Sequence, residues 1–211
     1  MSGINETIAH IDSMYQFFNK ELDAQLPEKV VFTLIPNRGR SRYLGWFFGN
    51  RWKQGEETIH EINIAPDFLD RKVDEIAETL IHEITHLKNN VLNIKDCLPN
   101  QYHNVKFKKQ AEEFGLKVEK MKNKGYALTS LDEKAKAIVE SYKTKVLDGA
   151  NPFSIHRISE AKVPTKTSTK KSVAIDENVA LVILDINGGK LSKAVDKILR
   201  NYIADHSGEI V

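Results

Sequence analysis

The residues with the clearest chemical potential are His82-Glu83-Ile84-Thr85-His86, an H-E-x-x-H motif. On a helix, residues four apart lie about 40° apart around the axis, so both imidazoles can face one metal ion. Glu83 is offset from them, and its carboxylate can reach a water molecule on the metal. Zinc lowers the pKa of such a water towards about 7, and a carboxylate can then take its proton. The motif predicts His82 and His86 as zinc ligands and Glu83 as the general base.

The surroundings of the motif favour this hypothesis over the alternative of two solvated histidines on an exposed helix face. Apolar residues recur at helical spacing and mark one buried stripe: Val73, Ile76, Ala77, Leu80, Ile84, Leu87 and Val91. His82 and His86 lie off that stripe, beside polar residues such as Glu78 and Asn89. The motif is therefore expected to face a polar site.

A catalytic zinc site usually has three protein ligands and one open position. The candidates for the third ligand are carboxylates further along the chain and four particular residues: His103, Asp96, His60 and His156. His103 stands at the start of the next predicted helix, and the connection from His86 is long enough to turn back. His60 falls in a predicted strand, where a surface position is the simpler interpretation.

The single cysteine, Cys97, limits what else could hold a metal. One thiol excludes an intramolecular disulfide and any zinc site built from several cysteines. A metal must then be held by histidines and carboxylates. The 211 residues include 31 basic and 29 acidic side chains, and the net charge of +2 gives no argument of its own for a nucleic-acid partner.

The sequence carries no signal for export or membrane insertion. Residues 1–20 lack a basic segment followed by an apolar run. No stretch approaches 18 apolar residues, the length that about spans a bilayer. We therefore expect a cytoplasmic protein without a membrane partner.

The elements before the motif indicate an α+β fold. An amphipathic helix is predicted over residues 4–22. Three strands are predicted at 30–35, 43–48 and 58–65, and they fit a small antiparallel meander. This sheet is expected to pack on the motif helix, as in zincins.

Three helices are predicted between residues 70 and 150. The motif helix follows Asp70, a plausible N-cap, and its apolar stripe ends at Val91. A second helix is predicted from about 104 to 122. A third opens at the capping box Ser130-x-x-Glu133 and ends near Gly149.

The composition predicts a division of the chain near residue 150. Residues 1–150 form the predicted main domain, and residues 151–178, rich in lysine and threonine, form a predicted linker. Residues 179–211 are predicted to form a strand and a helix. So small an appendage buries little surface alone, and we expect it to dock on the main domain, on a second copy or on a partner.

About residues 4–145 resemble the SprT-like family of metallopeptidase domains. Three segments carry the resemblance: LIHEITHLK at 80–88, HNxxF at 103–107 and AExxGL at 111–116. In that family, two helical histidines and a later histidine bind zinc. The resemblance implies that His82, His86 and His103 are ligands and that Glu83 is the catalytic residue.

The family includes proteases that act on DNA-bound proteins and members carried by phages and mobile elements, to which this chain is more similar. Many members continue into a cysteine-rich zinc ribbon, which one cysteine cannot form. Residues 101–124 contain seven lysines and three glutamates, but a solvated helix face is the simpler interpretation of that strip. DNA is therefore only a weakly supported partner.

Two hypotheses of function follow. The first is a zinc-dependent endopeptidase whose protein or peptide substrate adds as a strand to the sheet edge, with DNA-associated or regulatory proteins among the substrates to be considered. The second is a non-catalytic zinc module that recruits a protein or DNA partner through its C-terminal segment. Glu83 favours the first, because a structural site does not need it.

Overall fold

The computed structural model describes residues 3–37 and 42–148 and the four positions 152, 153, 155 and 157. Most of the predicted linker at 151–178 lies outside the described residues, as does His156. All of the predicted strand-helix appendage at 179–211 lies outside them as well. Within the described residues, no helix is long and apolar enough to span a bilayer.

The described residues form an α+β arrangement, which confirms the predicted class. The helices and strands in chain order are α1 (Ile4–Glu21), β1 (Val30–Thr33), β2 (Gly45–Gln54), β3 (Glu57–Ile64), α2 (Val73–Val91), α3 (Val105–Glu113), β4 (Leu116–Met121), β5 (Gly125–Leu131) and α4 (Glu133–Tyr142). A short 3-10 turn, Pro66–Phe68, leads towards α2, and a π-helical segment, Lys143–Leu147, continues from α4.

The three-stranded sheet is mixed, so the predicted antiparallel meander was wrong. Its order is β1-β3-β2, with β2 antiparallel and β1 parallel to β3. Alternating side chains indicate which residues face the core, but they do not specify which strand lies beside which, nor its direction. Among the described strands, β2 has a neighbour on one side only, so its other edge is open.

A second sheet replaces the end of the predicted 104–122 helix. The helix α3 ends at Glu113, and β4 pairs with β5 as an antiparallel hairpin. Gly115 has a φ of +85°, a left-handed conformation that ends the helix, and a Cβ there would lie 2.9 Å from the Ala135 side chain. The basic strip at 101–124 is thus divided between α3 and β4.

Two predicted helix caps were also wrong. The N-cap residue of α2 is Lys72 and not Asp70. The backbone N–H of Lys72 donates a 3.0 Å hydrogen bond to the Glu75 carboxylate. Ser130 lies in β5. The N-cap of α4 is Asp132, whose side chain accepts from the Ala135 backbone N–H at 2.8 Å. An aspartate directly before the helix satisfies the same free backbone donors as the predicted serine.

The helix α2 lies at the centre of the core. Its buried side chains include Ile76, Leu80, Ile84 and Leu87, each at most 1% exposed. Each such side chain contributes roughly 1.5–3 kcal/mol by leaving water. Buried residues of α1 and of β3 belong to the same cluster. Packing from several elements therefore fixes the helix that carries the H-E-x-x-H motif.

Two described residues beyond position 150, Phe153 and Arg157, contact the preceding part of the chain. Phe153 is 1% exposed and belongs to the buried cluster. The backbone N–H of Arg157 donates to the Pro66 carbonyl at 2.9 Å, and its guanidinium lies 3.2 Å from Asp67. This segment ties the chain to the turn that precedes α2.

Candidate metal centre

Three histidine side chains converge beside α2. His82 and His86 are one turn apart on that helix, and His103 lies in the connection before α3. The Nε2 atom of His103 is 3.2 Å from Nε2 of His82 and 3.1 Å from Nε2 of His86. The structure therefore brings together the three histidines predicted as ligands, and they could hold one metal ion.

Hydrogen bonds at Nδ1 fix which nitrogen of each imidazole is free. His86 Nδ1 lies 2.8 Å from the Asp96 carboxylate and His103 Nδ1 lies 3.2 Å from the Gln101 carbonyl, and both oxygens can only accept. His82 Nδ1 lies 3.4 Å from the Thr129 hydroxyl.

The Thr129 hydroxyl donates its own proton to the Glu78 carboxylate at 3.0 Å, so its oxygen accepts the hydrogen bond from His82 Nδ1. In the neutral form of each ring, Nδ1 therefore carries the proton, and Nε2 has its lone pair on the side of the cluster. Lone pairs facing one another at this distance repel unless a cation lies between them. A tetrahedral ion with metal–nitrogen bonds of about 2.0–2.1 Å separates its ligands by about 3.3 Å, close to the distances found. The donor set thus fits a metal.

The electrostatics of the cluster keep two of the rings neutral. Burial, aided by the neighbouring histidines, lowers the pKa of His82 well below its usual range and that of His103 to about 4. Burial acts in the same direction on His86, but the hydrogen bond that His86 donates to Asp96 and the charges of Glu83 and Asp96 outweigh burial and raise the pKa of His86. Asp96 therefore makes His86 the most basic of the three histidines.

The ring of Phe107 packs against all three imidazoles. Its centroid lies 4.7 Å from that of His82 and 4.6 Å from those of His86 and His103. Phe107 is completely buried in the first turn of α3. A rigid ring in contact with all three imidazoles restricts their rotation and offers no donor atom of its own to a metal.

The backbone of His103 is held by the turn of the β4–β5 hairpin and the first residues of β5. Its N–H donates to the Lys124 carbonyl and its carbonyl accepts from the Tyr126 N–H, both at 3.0 Å. Gly125, between them, has a φ of +65°, and a Cβ there would overlap the His103 carbonyl oxygen. Only glycine permits this approach, so the hairpin sets the position of His103.

Glu83 faces the open side of the cluster. It is 5% exposed, and burial, with a smaller effect of Asp96, raises the pKa of its carboxyl to about 7 despite the opposing effect of His86. Gly45 of β2 lies directly against it: a Cβ at residue 45 would be 3.3 Å from Glu83 Cγ and 2.8 Å from the Asn63 carbonyl oxygen. The absence of a side chain brings the open strand close to this carboxylate.

A cleft passes the cluster and has a pocket on each side of it. The first, here the Leu98 pocket, has a volume of about 610 Å³ and lies between β2 and the 93–98 connection. The second, the Leu128 pocket, has a volume of about 320 Å³ and lies beside the N-terminal half of α2. Both are lined by Gly45, His82, Glu83 and His103. Glu83 therefore lies where the two pockets meet.

The remaining ligand candidates are placed elsewhere or act differently. The Asp96 carboxylate accepts a hydrogen bond from His86 Nδ1, on the side of the ring away from the cluster. Asp96 also forms, with His86 and Cys97, a second group that could hold a metal ion. Burial raises the pKa of the Cys97 thiol to about 12, which disfavours the thiolate that a metal needs. His60 accepts from the Asn50 backbone N–H at 3.1 Å and belongs to neither group.

Sequence reasoning missed three residues that position the centre, namely Thr129, Gly45 and Gly125. Thr129 is 47 residues from His82, and no local pattern relates the two. The Asn123-Lys124-Gly125 run is a turn signal and could have indicated the hairpin. Gly45 precedes three aromatic residues in a predicted strand. A glycine inside a strand often marks a place where another group approaches the backbone closely, and this signal could have indicated its role.

Comparisons of the chain with protein-family models, with curated proteins and with solved structures give no match. The assignment of a function therefore depends on the residues and the geometry described above.

Proposed function

We propose that the protein is a zinc-dependent endopeptidase of the SprT-like kind. The observation that carries this proposal is the convergence of three histidine Nε2 atoms beside a buried carboxylate in an open cleft. A purely structural zinc site is closed by four protein ligands. Here three histidines leave one side of the site to the cleft, where Glu83 lies.

The residues of the site divide the work of peptide hydrolysis. His82, His86 and His103 hold the zinc, and Asp96, Thr129 and the Gln101 carbonyl keep their rings in the required tautomer. When bound, zinc polarises the scissile carbonyl and lowers the pKa of a water molecule. Glu83 takes the proton from the attacking water and delivers it to the leaving amine. Its raised pKa suits this double task, because a group that titrates near neutral pH can both accept and donate.

The substrate we propose is an extended polypeptide that pairs with the open edge of β2. The strand begins at Gly45, next to Glu83, and its free edge offers backbone donors and acceptors to an added strand. In this arrangement the scissile bond of the substrate lies over the Glu83 carboxylate, and the substrate side chains on either side of that bond enter the two pockets. The backbone pairing itself requires an extended substrate and no particular sequence.

Substitution of Glu83 by glutamine tests the proposal. We expect Glu83→Gln to bind one zinc ion per chain, as the wild type does, and to lose cleavage of an unfolded protein substrate by at least 100-fold. His103→Ala should lose both zinc and cleavage, whereas His60→Ala, which removes a histidine outside the cluster, should keep both. Full proteolysis by Glu83→Gln would exclude it as the base. Bound zinc without cleavage by the wild type would favour the non-catalytic module.

A further inference from the structure

The two pockets beside Glu83 collect much of the apolar surface that the domain exposes. Of the thirteen exposed large apolar side chains in the described part of the chain, six line these pockets: Tyr43, Leu44, Phe48, Leu98, Met121 and Leu128. Leaving such side chains in water is unfavourable, and their concentration in one concave surface marks a site for an apolar ligand group. The peptide backbone alone, which pairs with a strand edge, does not require them.

The Leu98 pocket is the larger, and its outer wall is held in place. The backbone N–H of Ile94 donates to the Asn89 carbonyl at 2.7 Å, and that of Leu98 donates to the Tyr102 carbonyl at 3.0 Å. Between them, the Asp96 carbonyl accepts from the Asn104 N–H at 2.9 Å. The wall is therefore a built surface that can select a side chain by size and polarity.

The charged groups that line the Leu98 pocket offer little to a basic side chain. Its one cation is Lys95, and its two carboxylates are Glu83 and Asp96. Asp96 is already bonded to His86 and Asn89. Glu83 is reserved for the attacking water by the proposed mechanism. Both carboxylates are largely buried, with the Asp96 side chain 14% and Glu83 5% exposed, so a lysine or arginine of the substrate meets little carboxylate surface.

We propose that the Leu98 pocket selects a large apolar side chain, of the size of leucine, methionine or phenylalanine, next to the scissile bond. Phe48 on β2 and Leu98 on the opposite wall are the residues that determine this specificity. The substrate class is then an extended segment with large apolar residues, a kind of segment that folded proteins bury. This inference rests on the peptidase function proposed above and adds its selectivity.

Peptide binding to the full chain carrying Glu83→Gln and loaded with Zn²⁺ tests the inference without requiring cleavage. A library of extended peptides is incubated with this variant, and the bound peptides are sequenced. We expect leucine, methionine and phenylalanine to be enriched about tenfold over serine at one position, with lysine and arginine depleted. The enrichment should fall to within about twofold when Leu98→Asp or Phe48→Gln is added.

A matched control is Leu92→Asp. Leu92 and Leu98 are equally exposed, at 47%, but Leu92 lines neither pocket, so its variant should keep the preference. Peptides bound without any enriched apolar position, a preference for basic residues, or an enrichment that persists in both pocket variants would overturn the inference. Cleavage of an enriched peptide by the wild-type chain is measured separately. Selective binding without cleavage would contradict the peptidase function alone, and cleavage without side-chain preference would contradict the selectivity alone.

Discussion

The Asp96 carboxylate accepts a hydrogen bond of 2.8 Å from His86 Nδ1, and the same oxygen accepts one of 3.1 Å from the Asn89 side chain. The carboxylate thus fixes the ring of His86 with its Nε2 towards His82 and His103. It also increases the basicity of that nitrogen, which is the property that a metal ligand needs. Asp96 was one candidate for the third ligand, and in this structure its carboxylate bonds Nδ1 of His86, on the side of the ring away from the other two histidines.

Replacement of Asp96 should weaken metal binding without removing a ligand. We expect Asp96→Ala to lower zinc affinity about 10- to 100-fold, measured by competition with a chromophoric chelator. Glu56→Gln, which neutralises a carboxylate in the exposed β2–β3 turn, should leave the affinity unchanged. An Asp96→Ala protein that binds zinc as tightly as the wild type would show that this carboxylate has no role in ordering His86.

Gly125 and Gly55 form a matched pair for testing how the third ligand is positioned. Both have positive φ, at +65° and +61°, but a Cβ at 55 meets nothing within 4 Å, whereas one at 125 meets the His103 carbonyl. Alanine at either position costs about 1–2 kcal/mol in backbone conformation. We expect Gly125→Ala to lose further stability in urea unfolding and to lower zinc stoichiometry.

Equal losses of unfolding free energy in the two glycine variants, with full zinc binding in both, would contradict the close approach of β5 to His103. The comparison isolates the packing effect because the backbone penalty is common to both variants. It requires no assumption about the reaction.

Phe107 is expected to order the ligands as well as to fill the core. Phe107→Leu and Phe114→Leu each remove a buried ring from the same part of the chain, and each should cost about 1–2 kcal/mol of unfolding free energy. Only Phe107 packs on the three imidazoles. Its variant alone should lower zinc affinity, by roughly tenfold. A similar loss in both variants would mean that affinity follows overall stability.

Metal removal should lower thermal stability, because the metal-free chain leaves three nitrogen lone pairs facing one another. Zinc at 100 times its dissociation constant stabilises the folded chain by about 2.7 kcal/mol, equivalent to an increase in Tm of roughly 5–10 °C. We expect this increase in a thermal scan of chelator-treated protein after zinc is restored. His103→Ala should show no increase. The same increase in that variant would place the stabilising zinc elsewhere.

The sequence predicted the local parts of the site better than the distant ones. The pairing of His82 with His86 depends only on helical spacing. The helix itself was predictable because its apolar residues recur at that spacing and are buried in the structure. Phe114 and Val118 continue the apolar spacing of α3, so periodicity alone extended that helix into what is the hairpin strand β4. A glycine with positive φ at 115 decided the outcome, and this is a matter of backbone conformation rather than of hydrophobic pattern.

Relations over long sequence distances could not be predicted from one chain. The placement of β1 parallel to β3 depends on how the connection between β1 and β2 crosses the sheet. The contact of Thr129 with His82 requires the hairpin to fold back over α2. Such contacts follow from tertiary packing and leave no spacing in the sequence.

The dependence of His103 on the Lys124–Tyr126 segment has a consequence for the order of events as the chain folds. His82 and His86 come into place when one helix forms, which takes microseconds or less. His103 reaches its position only when the β4–β5 hairpin, which follows it in the sequence, has formed. During synthesis from the N-terminus, the metal centre stays incomplete until residue 126 has been made. Under the peptidase function proposed above, a nascent chain therefore has no complete catalytic site until the β4–β5 hairpin has been made.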